Sequence, residues 1–281
     1  MADQATVAAV PREITDEEAA HYRANGWAKL ERFISSELAA EMLAAARDLV
    51  EPQLGAEEEA SFNKGLRLEK LGGRVQNLNY WQDYHYAGRD DKLEPFHSLI
   101  YSREIGLAAQ RLIGRDVGVR YSSDILAVKM PSGEPGSAPT DSHQDICSLP
   151  FDRIGPLTIW VALADLTPEH GTMRFLTGSQ RAGNLGRTRA IGKGTLEYYP
   201  ELIDQYETSP PMVLKAGDAT VHNAQVVHWA PQNTTDEPRW GYIMAYFPDD
   251  ALYTGAPNHN FDGIGLELNK PFEHDRFRRV L

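Results

Sequence analysis

The sequence predicts a mainly β fold with helical support at its N-terminal end, a double-stranded β-helix of the jelly-roll, cupin-like kind. Two observations carry this. From Val117 onward, eight short runs rich in β-branched and aromatic residues alternate with Gly/Pro turns, at 117–121, 125–130, 157–163, 173–176, 212–214, 219–222, 226–228 and 240–247. No helical periodicity separates them, so the strands are expected to pair in a double sheet rather than through helical crossovers.

The elements follow in order. Residues 1–13 read as a loose tail, and 14–114 as mostly helical support plus a pocket segment. Thr15-Asp-Glu-Glu18 is a capping box that opens a helix ending near Gly26. Trp27–Phe33 alternates as a short strand, and Ser35-Ser36 caps a second helix with Leu38, Met42, Leu43, Ala46 and Leu49 on one face. The stretch 53–90 is polar, then aromatic through Asn79, Tyr80, Trp81, Tyr84, His85 and Tyr86, and lacks periodicity. It reads either as irregular surface or as a wall of a substrate pocket, since loops carry specificity on a rigid scaffold. A helix is expected over Ser102–Ile113, closed by Gly114. The β core occupies 115–250, interrupted by a long glycine-bearing loop from Arg181 to Gln205, and 251–281 is a C-terminal extension of the same single domain.

Size and charge narrow the function. The chain has 281 residues and a net charge of −12, which gives no electrostatic reason to bind nucleic acid or an anionic membrane. Its one cysteine, Cys147, permits no internal disulfide and suits a reducing compartment. The N-terminus lacks the features of a signal peptide, and no apolar run reaches the roughly 18 residues of a membrane span. These features predict a cytoplasmic protein acting on a small molecule, of unknown oligomeric state.

The chemistry concentrates in Asp141-Ser-His-Gln-Asp145. On an extended strand, residues i and i+2 share a face, so His143 and Asp145 converge on one point. An imidazole and a carboxylate are two of the three ligands of a 2-His-1-carboxylate triad, the ligand set of non-haem Fe(II) oxygenases. A polar loop before a strand is the plainer alternative. Downstream, the Gly217-Asp218 turn precedes short strands at 220–222 and 225–228, which offer His222 and His228 as third ligands. Pro231, Asn233 and Pro238 then break the chain before Arg239. An arginine there could take the carboxylate of a dicarboxylate co-substrate as a bidentate pair, or could be a surface partner of Asp236 or Glu237.

These pieces together resemble the phytanoyl-CoA dioxygenase family of Fe(II)/2-oxoglutarate oxygenases. The match lies in His143-Gln-Asp145, Trp160 within Leu-Thr-Ile-Trp-Val-Ala-Leu, Gly171-Thr-Met with Gly178-Ser179, Gly217-Asp218, and His228 with Asn233 and Arg239. Gln180 departs from the histidine usual after Gly-Ser in the family. The resemblance selects His228 over His222 and so implies Fe(II) on His143, Asp145 and His228. It implies Arg239 at the distal carboxylate of 2-oxoglutarate, with Lys129, Trp160 and Thr220 beside the co-substrate. It implies O2 as the second co-substrate and succinate as a co-product. Gln144 points away from its metal-binding neighbours and is expected to ligate nothing. Trp81, Tyr80 and Ile146 are expected at the substrate.

The function so implied is oxidation of an unactivated C–H bond of a small organic molecule, with hydroxylation in secondary metabolism as the default. Epimerisation, desaturation or ring closure by the same iron chemistry is the alternative. Asp145 argues against halogenation, because halogenases of this type lack the carboxylate. A cupin-like, metal-dependent isomerase working without 2-oxoglutarate is the more distant reading.

Overall fold

The chain is described here from a computed structural model, which covers residues 9–54, 82–134, 137–186, 193–258 and 260–281. The Thr15 side chain accepts from the Glu18 amide, and the Glu18 carboxylate accepts from the Thr15 amide at 2.9 Å, so α1 (Asp16–Asn25) opens as the capping box predicts. Gly26 ends it in the left-handed conformation, at φ 81°. Then follow β1 (Trp27–Leu30), α2 (Ser36–Leu54), β2 (Gln82–His85), α3 (Phe96–Ile100) and α4 (Arg103–Ile113). The Ser102 hydroxyl caps α4 and Gly114 closes it.

Among the described residues, nine strands make two antiparallel sheets. Those after β2 are β3 (Val119–Lys129), β4 (Thr140–His143), β5 (Leu157–Ala162), β6 (Arg174–Phe175), β7 (Ala219–Asn223), β8 (His228–Ala230) and β9 (Arg239–Pro248). The larger sheet has the order β1-β7-β5-β9-β3-β2, the smaller β4-β8-β6. Two short helices, α5 (Thr195–Tyr198) and α6 (Leu202–Gln205), lie in the loop between β6 and β7.

Alternation divides the large sheet cleanly. Leu126 and Val128 on β3, Ile159 and Val161 on β5, and Trp240, Tyr242 and Met244 on β9 face outward and bury against Leu38, Met42 and Ala46 of α2 and Ile105, Ala109 and Leu112 of α4. The opposite face carries Trp160 and Ala162, which pack with Phe175 and Ala230 of the small sheet. Phe175 of the small sheet also meets the rings of His222 and His228, so the candidate site lies between the sheets. Among the described residues, no helix is long and apolar enough to cross a membrane.

Several boundaries differ from expectation. The runs expected at 117–121 and 125–130 merge into one strand, Val119–Lys129, because both halves pair with β9 on either side of a register shift between Tyr121 and Ser123. Met212–Leu214 forms only an isolated bridge, Leu214 to Leu166. His228 opens β8 instead of ending a strand, since the preceding segment turns through the Val226-to-Asn223 backbone bond. The aperiodic stretch contains β2, held by pairing to β3 that no local pattern announces.

Candidate metal centre

His143 ends β4 and Asp145 opens a 3-10 turn, Asp145–Ser148. The i, i+2 convergence survives because the residue between them, Gln144, is itself extended, at φ −112° and ψ 133°. β8 pairs antiparallel with β4 and sets His228 directly opposite His143, with ring centroids 4.2 Å apart. His143, Asp145 and His228 each offer one ligand atom, and these atoms all lie within 4.8 Å of one another.

Hydrogen bonds fix which atom of each side chain is offered. His143 Nδ1 lies 2.7 Å from the Asp141 carbonyl and His228 Nδ1 lies 3.1 Å from the Val226 carbonyl. A carbonyl only accepts, so each Nδ1 carries the proton and each Nε2 lone pair is left for a metal. Both Nε2 atoms point to Asp145 Oδ1, at 3.4 and 3.7 Å. Oδ2 is held on the other side, by the Thr158 hydroxyl at 2.9 Å and His222 Nε2 at 3.1 Å. Burial opposes ionisation of Asp145, but the three imidazoles gathered around it, His228 first and then His143 and His222, outweigh that and hold the carboxyl well below its usual range. Burial, with His222 and His143 close by, drives His228 well below the usual histidine range, which keeps it neutral as a ligand must be. An anionic oxygen flanked by two neutral imidazole nitrogens suits a divalent first-row metal.

The second half of the cleft lies along the same inner face. Arg239 is fully buried and donates through Nη1 to the Gly171 carbonyl. It is therefore no surface partner of Asp236 or Glu237. Its guanidinium carbon sits 5.2 Å from the Trp160 ring centre. Trp160 and Thr220 are cross-strand partners on β5 and β7. Trp160 Nε1 and Thr220 Oγ1 are both buried without a hydrogen-bond partner among the described residues. Buried polar atoms in that state call for a ligand, and a carboxylate bound there would meet an indole N–H, a hydroxyl and a guanidinium. Gly241 makes room for this arrangement, since a Cβ on it would fall inside the Trp160 indole.

Lys129, fully buried, donates to the carbonyls of Ala230 and Pro231 at 3.2 and 2.7 Å and so braces the chain leaving β8. Asn233 donates to the Lys129 and Glu237 carbonyls at 3.1 and 2.7 Å, fixing the turn that delivers Arg239. Ile146 packs in an apolar cluster with Phe151, Phe247 and Phe272, and its backbone N–H donates to the Ala224 carbonyl. Tyr80 and Trp81 lie outside the described residues. His222, the rival third ligand, supports Asp145.

Two roles escape the sequence reading. Thr158 shares a face with Trp160 by simple alternation, which was a usable signal. Gln144 gave none beyond its outward direction. Its side-chain amide donates to the Gly183 and Gln225 carbonyls at 2.8 and 2.6 Å and its oxygen accepts from the Leu185 amide at 2.9 Å. Ser142 accepts from the Leu196 amide at 2.9 Å. The residues alternating with the metal-facing pair thus hold both described ends of the long loop.

Residues 22–241 match the model of the phytanoyl-CoA dioxygenase (PhyH) family. The chain is 26% identical over 252 residues, 84% of its length and 79% of the relative's, to a "probable alpha-ketoglutarate-dependent hypophosphite dioxygenase" of Stutzerimonas stutzeri. Among solved structures it resembles the non-haem alpha-ketoglutarate-dependent carbocyclase SnoK from nogalamycin biosynthesis, at 26% identity and a TM-score of 0.70, covering 96% of this chain and 99% of that one. It also resembles the epimerase SnoN in complex with Fe3+, alpha-ketoglutarate and nogalamycin RO, at 25% identity and a TM-score of 0.68, covering 95% and 98%.

Proposed function

The chain belongs to the phytanoyl-CoA dioxygenase family, and from that premise we propose that it is a non-haem Fe(II)/2-oxoglutarate-dependent dioxygenase that oxidises a C–H bond of a small organic molecule. The observation that carries this is the convergence of His143, Asp145 and His228 within 4.8 Å. Bound Fe(II), with 2-oxoglutarate and O2, supplies an oxidant able to cleave an unactivated C–H bond, and succinate and CO2 are the co-products.

The residues divide that work. His143 and His228 present neutral Nε2 atoms, and Asp145 presents Oδ1. Trp160, Thr220 and Arg239 receive the far carboxylate of 2-oxoglutarate. The two sheets are the halves of a double-stranded β-helix, and the chain acts as one domain: tail 1–13, support 14–114, core 115–250 and extension 251–281. A cytoplasmic, natural-product tailoring role fits the lone cysteine and the two structural relatives. Those relatives, a carbocyclase and an epimerase, also favour a second outcome of the same chemistry, ring closure or epimerisation in place of hydroxylation.

The experiment is anaerobic Fe(II) titration followed by succinate release from 2-oxoglutarate in air. Wild type binds one Fe(II) per chain and releases succinate, and His143→Ala or His228→Ala loses both. Full activity in either variant refutes the assignment, and metal-dependent turnover without 2-oxoglutarate would support a cupin-like isomerase instead.

A further inference from the structure

We propose that Trp27 is a redox outlet for the metal centre: when no substrate is present, its indole gives an electron through Phe175 to the oxidant formed there and carries the oxidising equivalent to the protein surface. This rests on the dioxygenase reading above, which supplies that oxidant from O2 and 2-oxoglutarate.

A chain of aromatic rings leads outward from the histidines. Trp27 opens β1 at the edge of the large sheet and pairs in register with His222 of β7, so the two side chains share the inner face. Phe175 of the small sheet is the cross-strand partner of His228. Its ring is fully buried, with its centre 6.3 Å from that of His228 and 5.6 Å from that of His222. The same ring stacks on the Trp27 indole, at 5.2 Å and 7° between the planes. His228 keeps its Nε2 for the metal and His222 holds Asp145. Two ring-to-ring steps therefore join Trp27 to a metal-facing imidazole. Electron tunnelling decays exponentially with distance, and less steeply across rings in contact than across a gap. The route ends at the surface, where the exposed His21 meets the Trp27 ring in a T-shaped contact at 5.1 Å.

The surroundings of Trp27 suit the loss of an electron. An oxidised indole is a strong acid at its N–H, so an acceptor for that proton makes the oxidation easier. Trp27 Nε1 donates to the Thr177 hydroxyl at 3.1 Å. The half-buried Thr177 is held there by the bond from the Gly178 amide to the Asn25 carbonyl, at 2.8 Å. Trp160 is the other indole beside the site, and it is poorly suited. Its N–H has no acceptor among the described residues, and the Arg239 guanidinium carbon 5.2 Å from its ring centre opposes a second positive charge. Tyr121 and Tyr242, which bond Asp124, pack on the other face of the sheet. In each pass Trp27 is oxidised by one electron and the metal centre is reduced by one, and the indole proton leaves along the bond to Thr177 for solvent. A small external reductant, a thiol or ascorbate, returns an electron and a proton to the indole. Two passes, with two protons taken up from solvent at the centre, consume the oxidant, restore Fe(II) and leave the oxygen atom as water.

The test mixes the full chain, loaded with Fe(II) and 2-oxoglutarate, with O2 in the absence of substrate, freeze-quenches it and reads it by electron paramagnetic resonance. A tryptophan radical is expected, with a spectrum that changes when the protein carries ring-deuterated tryptophan. Trp27→Phe, which keeps a ring against Phe175, should abolish it. Thr177→Val, which leaves the indole in place and removes the proton acceptor, should lower its yield several-fold and keeps the test valid if the phenylalanine variant unfolds. Peptide mapping of spent wild type should find added oxygen on Trp27. Ascorbate should erase the radical and raise the number of turnovers before inactivation several-fold in wild type, and not in Trp27→Phe. No radical in wild type overturns the proposal, as does an undiminished radical in Trp27→Phe, an equal yield in Thr177→Val, or equal protection of both proteins by ascorbate. The visible absorption band of Fe(II) with 2-oxoglutarate under nitrogen reports separately on the dioxygenase reading. Its absence sinks that reading and the proposal with it, whereas its presence with any of the contrary results sinks the Trp27 route alone.

Discussion

Replacing Thr158 by valine removes one hydroxyl and almost no volume, and the structure states what that hydroxyl does. It donates at 2.9 Å to Asp145 Oδ2, the oxygen turned away from the two histidine Nε2 atoms. A hydrogen bond to a charged group contributes roughly 1.5–3 kcal/mol. Asp145 retains a 23% exposed side chain, so water partly replaces the lost donor and the low end applies. About 1.5 kcal/mol corresponds to roughly tenfold in metal affinity, within the tenfold to hundredfold range typical of groups that orient ligands. His222 is the second donor, at 3.1 Å and nearly fully buried. His222→Phe keeps a ring between Phe175 and His228, whose centroids lie 5.6 and 4.1 Å away, and removes only the donor. Water reaches this position less, so the loss is larger, several tens of fold. The assay is anaerobic equilibrium titration with Fe(II), repeated with Co(II), with thermal unfolding to confirm the fold. In the double variant the losses exceed the sum of the singles, because Oδ2 then has no donor left. An iron dissociation constant within twofold of wild type in both single variants would refute the argument that Oδ2 is held in order to aim Oδ1.

Other expectations follow from the same contacts. Arg239→Gln, which strips a buried cation from the pocket beside Trp160 and Thr220, should raise the KM for 2-oxoglutarate by two orders of magnitude or more while iron titration stays unchanged, since breaking a buried charged pair costs about 3–5 kcal/mol. An unaltered KM would place the co-substrate elsewhere. Gln144→Leu should speed amide hydrogen exchange at Leu185, whose N–H it accepts, more than at the β5 core, and equal exchange would show the loop is held by other means. Acid stability should fall as Glu18 protonates. Burial opposes its ionisation, but hydrogen bonds from Arg12, at 2.5 and 2.9 Å, and from Thr15 hold its pKa below the usual 4.5. A depressed carboxyl contributes stability above about pH 4.5 that is lost as pH falls through its lower folded value. Glu18→Gln should flatten the stability profile in that window, by no more than about 1 kcal/mol because the pair is partly exposed.

Local pattern sufficed wherever the controlling contact was near in sequence. The Thr15 and Ser102 caps, the Gly26 and Gly114 stops and the β-branched and aromatic runs of β5 and β9 are short-range effects, legible without a fold. The pair His143 and Asp145 belongs with them, because one extended residue between two ligands aims both at the same point. The third ligand and Arg239 were legible only through their spacing in a familiar pattern, for His222 and His228 look alike in sequence. Tertiary structure separated them: β8 pairs with β4 and delivers His228 opposite His143, while β7 pairs with β5 and delivers His222 to the far oxygen of Asp145. The same holds for the contacts of Lys129, whose ammonium meets the Ala230 and Pro231 carbonyls, and of Ile146, which follows Asp145 directly and packs in the aromatic cluster around Phe272. β2 has no local signature, because strand pairing depends on partners many residues away. A sequence states which residue types alternate, and only the pairing of distant strands decides which of them meet.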